Sequence, residues 1–350
     1  MDLLIFLAAL SILVLTHEFG HFIMAVKNGI WVEEFGLGLP PRIFGKRIGK
    51  TLFSLNWLPI GGFCKLYGED IGSVKKKKDM AFCNKKAWQK LLVVTGGVIM
   101  NVVTAIVIFT VVYSIFGVPV ETDKVKIIDV AKNSPAEEAG LKLGDWVEKV
   151  GGEDVEEASE LIEKVGKFKG EEVELMVKRG EEEMLLRLKV RQNPPEGEGG
   201  MGVVISTMEN RKLRWWEFYK GIGAGFKEAY FWGKIIINGV WDMISSLFRG
   251  QVPKDVSGPV GMFKATSTIK KEHGLLALLH FFGIVSVNLA VVNLLPFPAL
   301  DGGRMIFVLF EMLTGKKVKA SFEAMVNNVG MMILLGLLLL VTIGDVSRLF

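Results

Sequence analysis

Four stretches of this 350-residue chain are long, apolar and almost free of charge, with polar sequence between them: Leu3 to Val26, Leu91 to Phe116, Gly274 to Leu300, and about Ala324 to Gly344. At 1.5 Å per residue each is long enough to cross ~30 Å of hydrocarbon as a helix. The pattern predicts a polytopic α-helical membrane protein with four transmembrane helices. The first run has no basic residues ahead of it, only Met1-Asp2, and no small-x-small cleavage site behind it, so it reads as a retained span and not a cleaved leader.

Between the second and third spans the pattern changes to that of a small α+β domain, 121–208. Ser134-Pro135-Ala136-Glu137 is a helix start, with Ser134 as N-cap, Pro135 at the first helical position and Glu137 completing a capping box; Gly140 ends it. Asp154 to Lys167 suits a second helix, and Glu172 to Lys178 with Glu183 to Val190 a hairpin turning at Arg179-Gly180. Residues 209–273 mix aromatics (Trp215, Trp216, Tyr230, Phe231, Trp232, Trp241) with spaced lysines, as in amphipathic helices lying in a membrane interface, where they anchor the chain or gate substrate entry. The loop at 27–90 is too apolar for an ordinary basic loop. Val32 to Phe35, Thr51 to Leu58 and Gly62 to Tyr67 read as short strands punctuated by glycine and proline. The expected organisation is a first span at 1–26, a loop at 27–90, a second span at 91–116, the α+β domain, the interfacial segment, a third span at 274–301, a loop at 302–323 and a fourth span at 324–344.

Half of the residues are hydrophobic, yet 23% are charged; the mean hydropathy of +0.37 hides this segregation. Lysines and arginines far outnumber acids in the 27–90 loop, and the 302–323 loop is also basic through Arg304, Lys316, Lys317 and Lys319. Both loops are therefore expected on the cytoplasmic side, with 121–273 outside. Topology explains most of the basic excess without a nucleic-acid partner. Cys64 and Cys83 both fall in the 27–90 loop, which argues against a disulfide.

His17-Glu18-Phe19-Gly20-His21 places two of the four histidines within the first span. Four residues apart on a helix, the imidazoles share one face and can reach a single zinc, with Glu18 as base beside it. Ionisable groups in a span cost a few kcal/mol each and are functional by default. His17 lies on the order of 20 Å along a helix entering from outside. The third span enters from the same side, and its far end, Asn293-Leu294-Leu295-Pro296-Phe297-Pro298-Ala299-Leu300-Asp301-Gly302-Gly303, reaches that depth. Asp301 is the candidate third ligand; its other reading is a helix cap. Asn293 could hold a substrate backbone or an oxyanion, or bond a neighbouring helix.

The HExxH motif together with NLLPFPALDGG resembles the site-2 protease family, peptidase M50. THEFGHF, EFGLGLPPRIFGK through LPIGGFCKLYGED, SGPVGM and NLLPFPALDGGR follow in the order of its bacterial sigma-E regulator branch. SPAEEAGLKLGDWVEKVGGEDV resembles the core of a PDZ domain, and the chain has room for one. The resemblance implies an intramembrane zinc metalloprotease of the bacterial inner membrane, acting on single-pass membrane proteins or peptides already trimmed outside, such as an anti-sigma factor or a remnant signal peptide. It implies one Zn2+ on His17, His21 and Asp301, with Glu18 as general base and acid and Asn293 binding or polarising substrate. It also implies a membrane re-entrant β-hairpin whose edge takes substrate as a strand, with Gly36, Gly38, Thr51, Phe53, Leu55, Gly61 and Gly62, and Pro296 beside Asn293, as substrate-binding residues. The hairpin's plainer reading is a structural element on the membrane surface. The extracytoplasmic PDZ domain either takes a peptide in its groove and filters substrates or acts as a spacer. The rival of another class is a membrane-anchored PDZ adaptor with a non-catalytic metal site; a transporter fits four spans and this motif poorly.

Overall fold

The structure, a computed structural model, describes residues 2–69, 77–195, 198–249 and 258–347. Asp70, Lys75 and Lys76 of the expected basic loop, and residues 250–257 with Ser257 of SGPVGM, lie outside the described residues. The chain divides into two compact units, Met1–Tyr113 with Phe218–Phe350, and Ser114–Glu217.

The first unit opens with helix α1, Asp2–Lys27, which carries an acid in its first turn and a base in its last, matching the helix dipole. It stops where Gly29 takes φ 66° and the Ile30 amide returns to the Ala25 carbonyl. Two long antiparallel strands follow, β1 (Val32–Ile48) and β2 (Thr51–Leu66). Each bends, so residues 34–37 find partners on both sides: 62–65 on one and 52–55 on the other. The three expected short strands lie inside this pair, save Tyr67, which falls in the turn after β2. What the pattern hid is 42–48, which pairs with 51–56. Pro40 and Pro41 just before it and Gly45 within it read as breakers, but an exposed edge tolerates them.

Helix α2, Ala87–Phe116, crosses α1 at glycines: a Cβ on Gly20 would sit 2.1 Å from the Gly96 carbonyl oxygen, and one on Gly96 2.7 Å from that of Gly20. Backbones touch there because neither residue has a side chain.

The second unit is a six-stranded sheet. Its strands are β3 (Val118–Val130), β4 (Trp146–Val150), β5 (Glu153–Asp154), β6 (Glu172–Arg179), β7 (Glu182–Lys189) and β8 (Val203–Arg211), in the order β7-β6-β4-β3-β8, with β5 on β4. Helix α3 is Pro135–Glu138 and α4 is Ala158–Lys167. Val125, Ile127, Val147, Leu161, Leu175 and Val177 form the heart of the core. Ser134 caps α3 through the Glu137 amide at 3.1 Å, but Glu137 accepts from the Asn133 amide, one residue before the cap. Helix α4 starts later than Asp154, because Gly151 and Gly152, both at positive φ, turn the chain so that 153–154 pair with β4.

Asp145 is 1% exposed in this core. Arg179 bonds both its oxygens, at 2.7 and 2.8 Å, and the Lys142 amide donates to it at 2.9 Å. Burial alone would raise the Asp145 carboxyl; the Arg179 hydrogen bonds and the Lys142 amide outweigh it and hold the group below the usual carboxylate range. That stabilisation is fully present above the unfolded pKa near 4 and is lost as pH falls through the depressed folded value. Arg179→Ala is expected to cost about 3 kcal/mol at pH 7, because it strands a buried charge, with the difference from wild type closing in acid. Hydrogen exchange of the β4 and β6 amides in the full chain measures it; equal protection at pH 7 would show that the pair contributes little.

The first unit resumes with α5, Phe218–Phe248, and α6, Pro259–Leu294, which is broken at Gly274 (φ 82°). The interfacial segment was expected to hold several helices up to 273. Instead β8 runs to Arg211, α5 is one helix of 31 residues, and 259–273 already belong to α6. Gly274, expected to open the third span, is the break itself. Helix α7, Asp301–Thr314, occupies the expected 302–323 loop, its apolar run being too short to read as a span. Helix α8, Ala320–Ser347, completes the unit. Among the described residues, four helices, α1, α2, α6 and α8, are long and apolar enough to cross a membrane. Phe6 and Leu13 of α1 pack on Leu278, Phe282 and Val285 of α6, and Ala105 and Phe109 of α2 on Ala229 and Val287. His280 is a packing residue, 3.0 Å from Glu228 and with its ring 5.0 Å from that of Phe109.

Candidate metal centre

One turn apart on α1, His17 and His21 direct their Nε2 atoms to within 3.2 Å of each other. Helix α7 supplies Asp301, whose Oδ2 lies 3.1 Å from His17 Nε2 and 3.3 Å from His21 Nε2. His21 Nδ1 lies 2.8 Å from the Val93 carbonyl, which can only accept, so in the neutral imidazole the proton is on Nδ1 and Nε2 presents a lone pair. Asp301 Oδ2 is buried without a hydrogen-bond partner among the described residues. A lone pair aimed at a carboxylate oxygen at this distance is repulsive unless a cation lies between them. Tetrahedral zinc with bonds of about 2.0–2.1 Å needs ligand edges of about 3.3–3.4 Å, close to the three found here. The donor set fits zinc.

The local sequence explains how Asp301 arrives. Helix α6 ends at Leu294 rather than running to Asp301; residues 295–300 form an irregular loop, and Asp301 is the first residue of α7. The loop wraps the first turn of α7 so closely that a Cβ on Gly302 would lie 2.1 Å from the Leu295 oxygen, and one on Gly303 2.4 Å from the Phe297 oxygen. Only a glycine pair allows this. From α8, Asn327 accepts the Ala299 amide at 3.3 Å and Gly330 makes room for Pro298.

Glu18, on the adjoining face of α1, accepts from the Cys64 amide of β2. It lines a cavity of about 220 Å³ with His21, Cys64, Glu69, Asp301 and Arg304; Arg304 and Glu69 are ion-paired. Gly61 and Gly62 of β2 run beside Val14, Leu15 and Glu18, and Gly36 lies behind Gly62. Gly36 and Gly38 pack within the hairpin, where Asn56 donates to the Gly38 carbonyl at 3.1 Å. Thr51 and Phe53 sit away from this cluster: the Thr51 hydroxyl bonds the Val32 carbonyl, and the Phe53 ring packs on Phe22 and Phe35. Leu55 is exposed on the sheet. Asn293, in the last turn of α6, and Pro296, exposed in the loop, do not line the cavity.

The site also needs α2, which sequence reasoning left as a plain span. Val93, Gly97 and Asn101 recur every fourth residue on the face turned to the histidines. Val93 bonds His21, and Asn101 lies 3.1 Å from His17 Nδ1. Gly97 leaves room between them, since its Cβ would lie 2.5 Å from His21 Nε2 and 2.7 Å from His17 Nε2. The available signals were the Gly96-Gly97 pair and a lone asparagine in a charge-free run.

A family model described as peptidase family M50 matches residues 5–337. A Clostridium perfringens protein named "Putative zinc metalloprotease" is 36% identical over 347 residues, which cover 97% of each chain. The Bacillus subtilis protein named regulator of sigma-W protease RasP is 27% identical, covering 99% of this chain and 98% of its own. Zinc metalloprotease RasP of Geobacillus kaustophilus is 26% identical, covering 99% and 97%. Among solved structures, the PDZ domain of an SdrC-like protein of Listeria monocytogenes aligns with 25% of this chain and 90% of its own, at 24% identity and a TM-score of 0.22. An HExxH helix, a second helix shaped around it, and a match running from one end of the chain almost to the other lead to one conclusion: this chain belongs to peptidase family M50.

Proposed function

We propose that the protein is a zinc-dependent intramembrane protease that cuts single-pass membrane substrates after their outer portions have been removed. One observation carries this reading: His17 and His21, on the long apolar helix α1, converge with Asp301 at the head of α7, and Glu18 stands beside them. The relatives' names, zinc metalloprotease and regulator of sigma-W protease, support its zinc and protease parts.

His17, His21 and Asp301 would hold the zinc. When bound, zinc acts as a Lewis acid on a carbonyl and makes water a nucleophile near neutral pH. Glu18 takes the proton from the attacking water and returns it to the leaving nitrogen; the Cys64 amide keeps its carboxylate aimed at the cavity. Asn293 does not line the cavity, and its role of holding or polarising the substrate carbonyl rests on the family resemblance alone.

A helical substrate must be unwound before it can be cut, and its freed peptide groups then need partners. Residues 61–64 of β2 form the sheet edge nearest α1, so a substrate added there as a strand would have its backbone satisfied and lie against Glu18. This supports reading 32–66 as a hairpin that dips into the membrane. The basic loops support an active site towards the cytoplasm with residues 121–208 outside. We read that sheet domain as a PDZ domain. Its outer strand β8 and helix α4 border a groove of about 400 Å³ lined by Leu161, Ile162, Val165, Met201, Val203 and Ile205, suited to strand addition by a peptide.

The test is cleavage of a panel of single-pass substrates, each with and without its outer domain, by the purified protein in bilayers. A membrane-embedded cut in the trimmed forms, at least about tenfold faster than in the intact ones, is the expected result, tenfold being about 1.4 kcal/mol of barrier. Equal rates would remove the filter role. No cut anywhere by a zinc-loaded protein would favour a membrane-anchored adaptor.

A further inference from the structure

Asn101 is completely buried in the charge-free stretch 91–116 of α2. Its backbone carbonyl accepts from Ser286 Oγ of α6 at 2.8 Å, and Ser286 is itself 0% exposed. Its side-chain nitrogen lies 3.1 Å from His17 Nδ1, while Oδ1 is buried and meets no donor among the described residues. The two ends of an amide are nearly isosteric, and turning the group by 180° exchanges them. The orientations differ in consequence. If the amide nitrogen donates to Nδ1, the proton of neutral His17 sits on Nε2, and that atom has no lone pair for a metal. If Oδ1 faces the ring, it accepts the Nδ1 proton, the buried oxygen gains its donor, and Nε2 keeps its lone pair towards Asp301. His21 already has this arrangement through the Val93 carbonyl, on the same face of the same helix.

We infer that Asn101 is a positioning residue: its side-chain oxygen accepts the Nδ1 proton of His17 and so fixes the tautomer and ring orientation that present Nε2 to the metal. Ser286 holds the Asn101 backbone against α6. The assignment rests on His17 being a zinc ligand. Gly97 between Val93 and Asn101 keeps the space clear, so one face of α2 serves both imidazoles.

The test is zinc affinity, by chelator competition on the purified full chain, for wild type, Asn101→Leu, Asn101→Asp and His17→Ala, with thermal unfolding of each metal-free protein. Asn101→Leu should weaken zinc about 10–100-fold, while Asn101→Asp, which can only accept when ionised, should stay within about threefold of wild type. Metal-free Asn101→Leu should unfold close to wild type. Wild-type affinity in Asn101→Leu, or a loss in Asn101→Asp as large as that in Asn101→Leu, overturns the inference. If Asn101→Leu does not fold, Asn101→Asp decides alone: retained affinity supports the acceptor role, and a tenfold loss refutes it. Unchanged affinity in His17→Ala is a different failure, because it removes His17 from the metal site altogether.

Discussion

Glu18→Gln is expected to bind zinc as wild type does and to lose cleavage by about 10³-fold or more, towards the upper end of what general acid–base catalysis contributes. The three converging donor atoms belong to His17, His21 and Asp301, and Glu18 supplies none of them. Its carboxylate instead faces the cavity, held by the Cys64 amide. Glutamine has the same shape, and its oxygen can still accept that amide. What it cannot do is take a proton from water and pass it on. Metal content by elemental analysis and single-turnover cleavage of a trimmed substrate separate the two properties. Full activity in the variant would remove Glu18 from the chemistry, and loss of zinc would mean the carboxylate is a ligand after all.

The second large effect is expected from a methyl group. Gly97→Ala would place a Cβ 2.5 Å from His17 Cε1 and His21 Nε2, distances that real contacts do not reach. Neither histidine can withdraw, because each is tied by its ring to α2, and α1 cannot slide, because it already rests on α2 at Gly20 and Gly96. The helices must part, and a displacement of about 1 Å at reacting groups costs on the order of 100-fold in rate. Zinc affinity should fall with it. The control is Gly336→Ala on α8, where a Cβ meets nothing within 4 Å and both properties should be unchanged. Zinc binding and turnover at wild-type levels in Gly97→Ala would show that α2 does not shape the site.

How much of the fold and the site was legible in the sequence depends on what kind of signal each part leaves. Helical periodicity alone puts His17 and His21 on one face, and an acid ending an apolar run marks Asp301. The contribution of α2 has no comparable signature. A backbone carbonyl such as that of Val93 is the same in every residue, and a glycine that clears space for a ligand looks like one that lets helices pack. Beside the Gly96-Gly97 pair, Asn101 is the visible anomaly in that span. In the hairpin, Pro40, Pro41 and Gly45 read as interruptions because local propensity knows nothing of the edge position that makes them tolerable. Asp301 was read as the end of a span; its true place, at the head of a new helix, depends on Gly302 and Gly303 folding under their own loop, a tertiary contact with no local periodicity.

Helix α8 is the least buried of the four long apolar helices, with only 6% of its apolar window covered by the rest of the chain, yet its Asn327 and Gly330 hold the loop that leads into Asp301. A long helix takes its tilt from the neighbours it packs against, and α8 has few. The carboxylate of the candidate metal site is thus positioned, through two residues, by the helix least fixed to the rest of the chain.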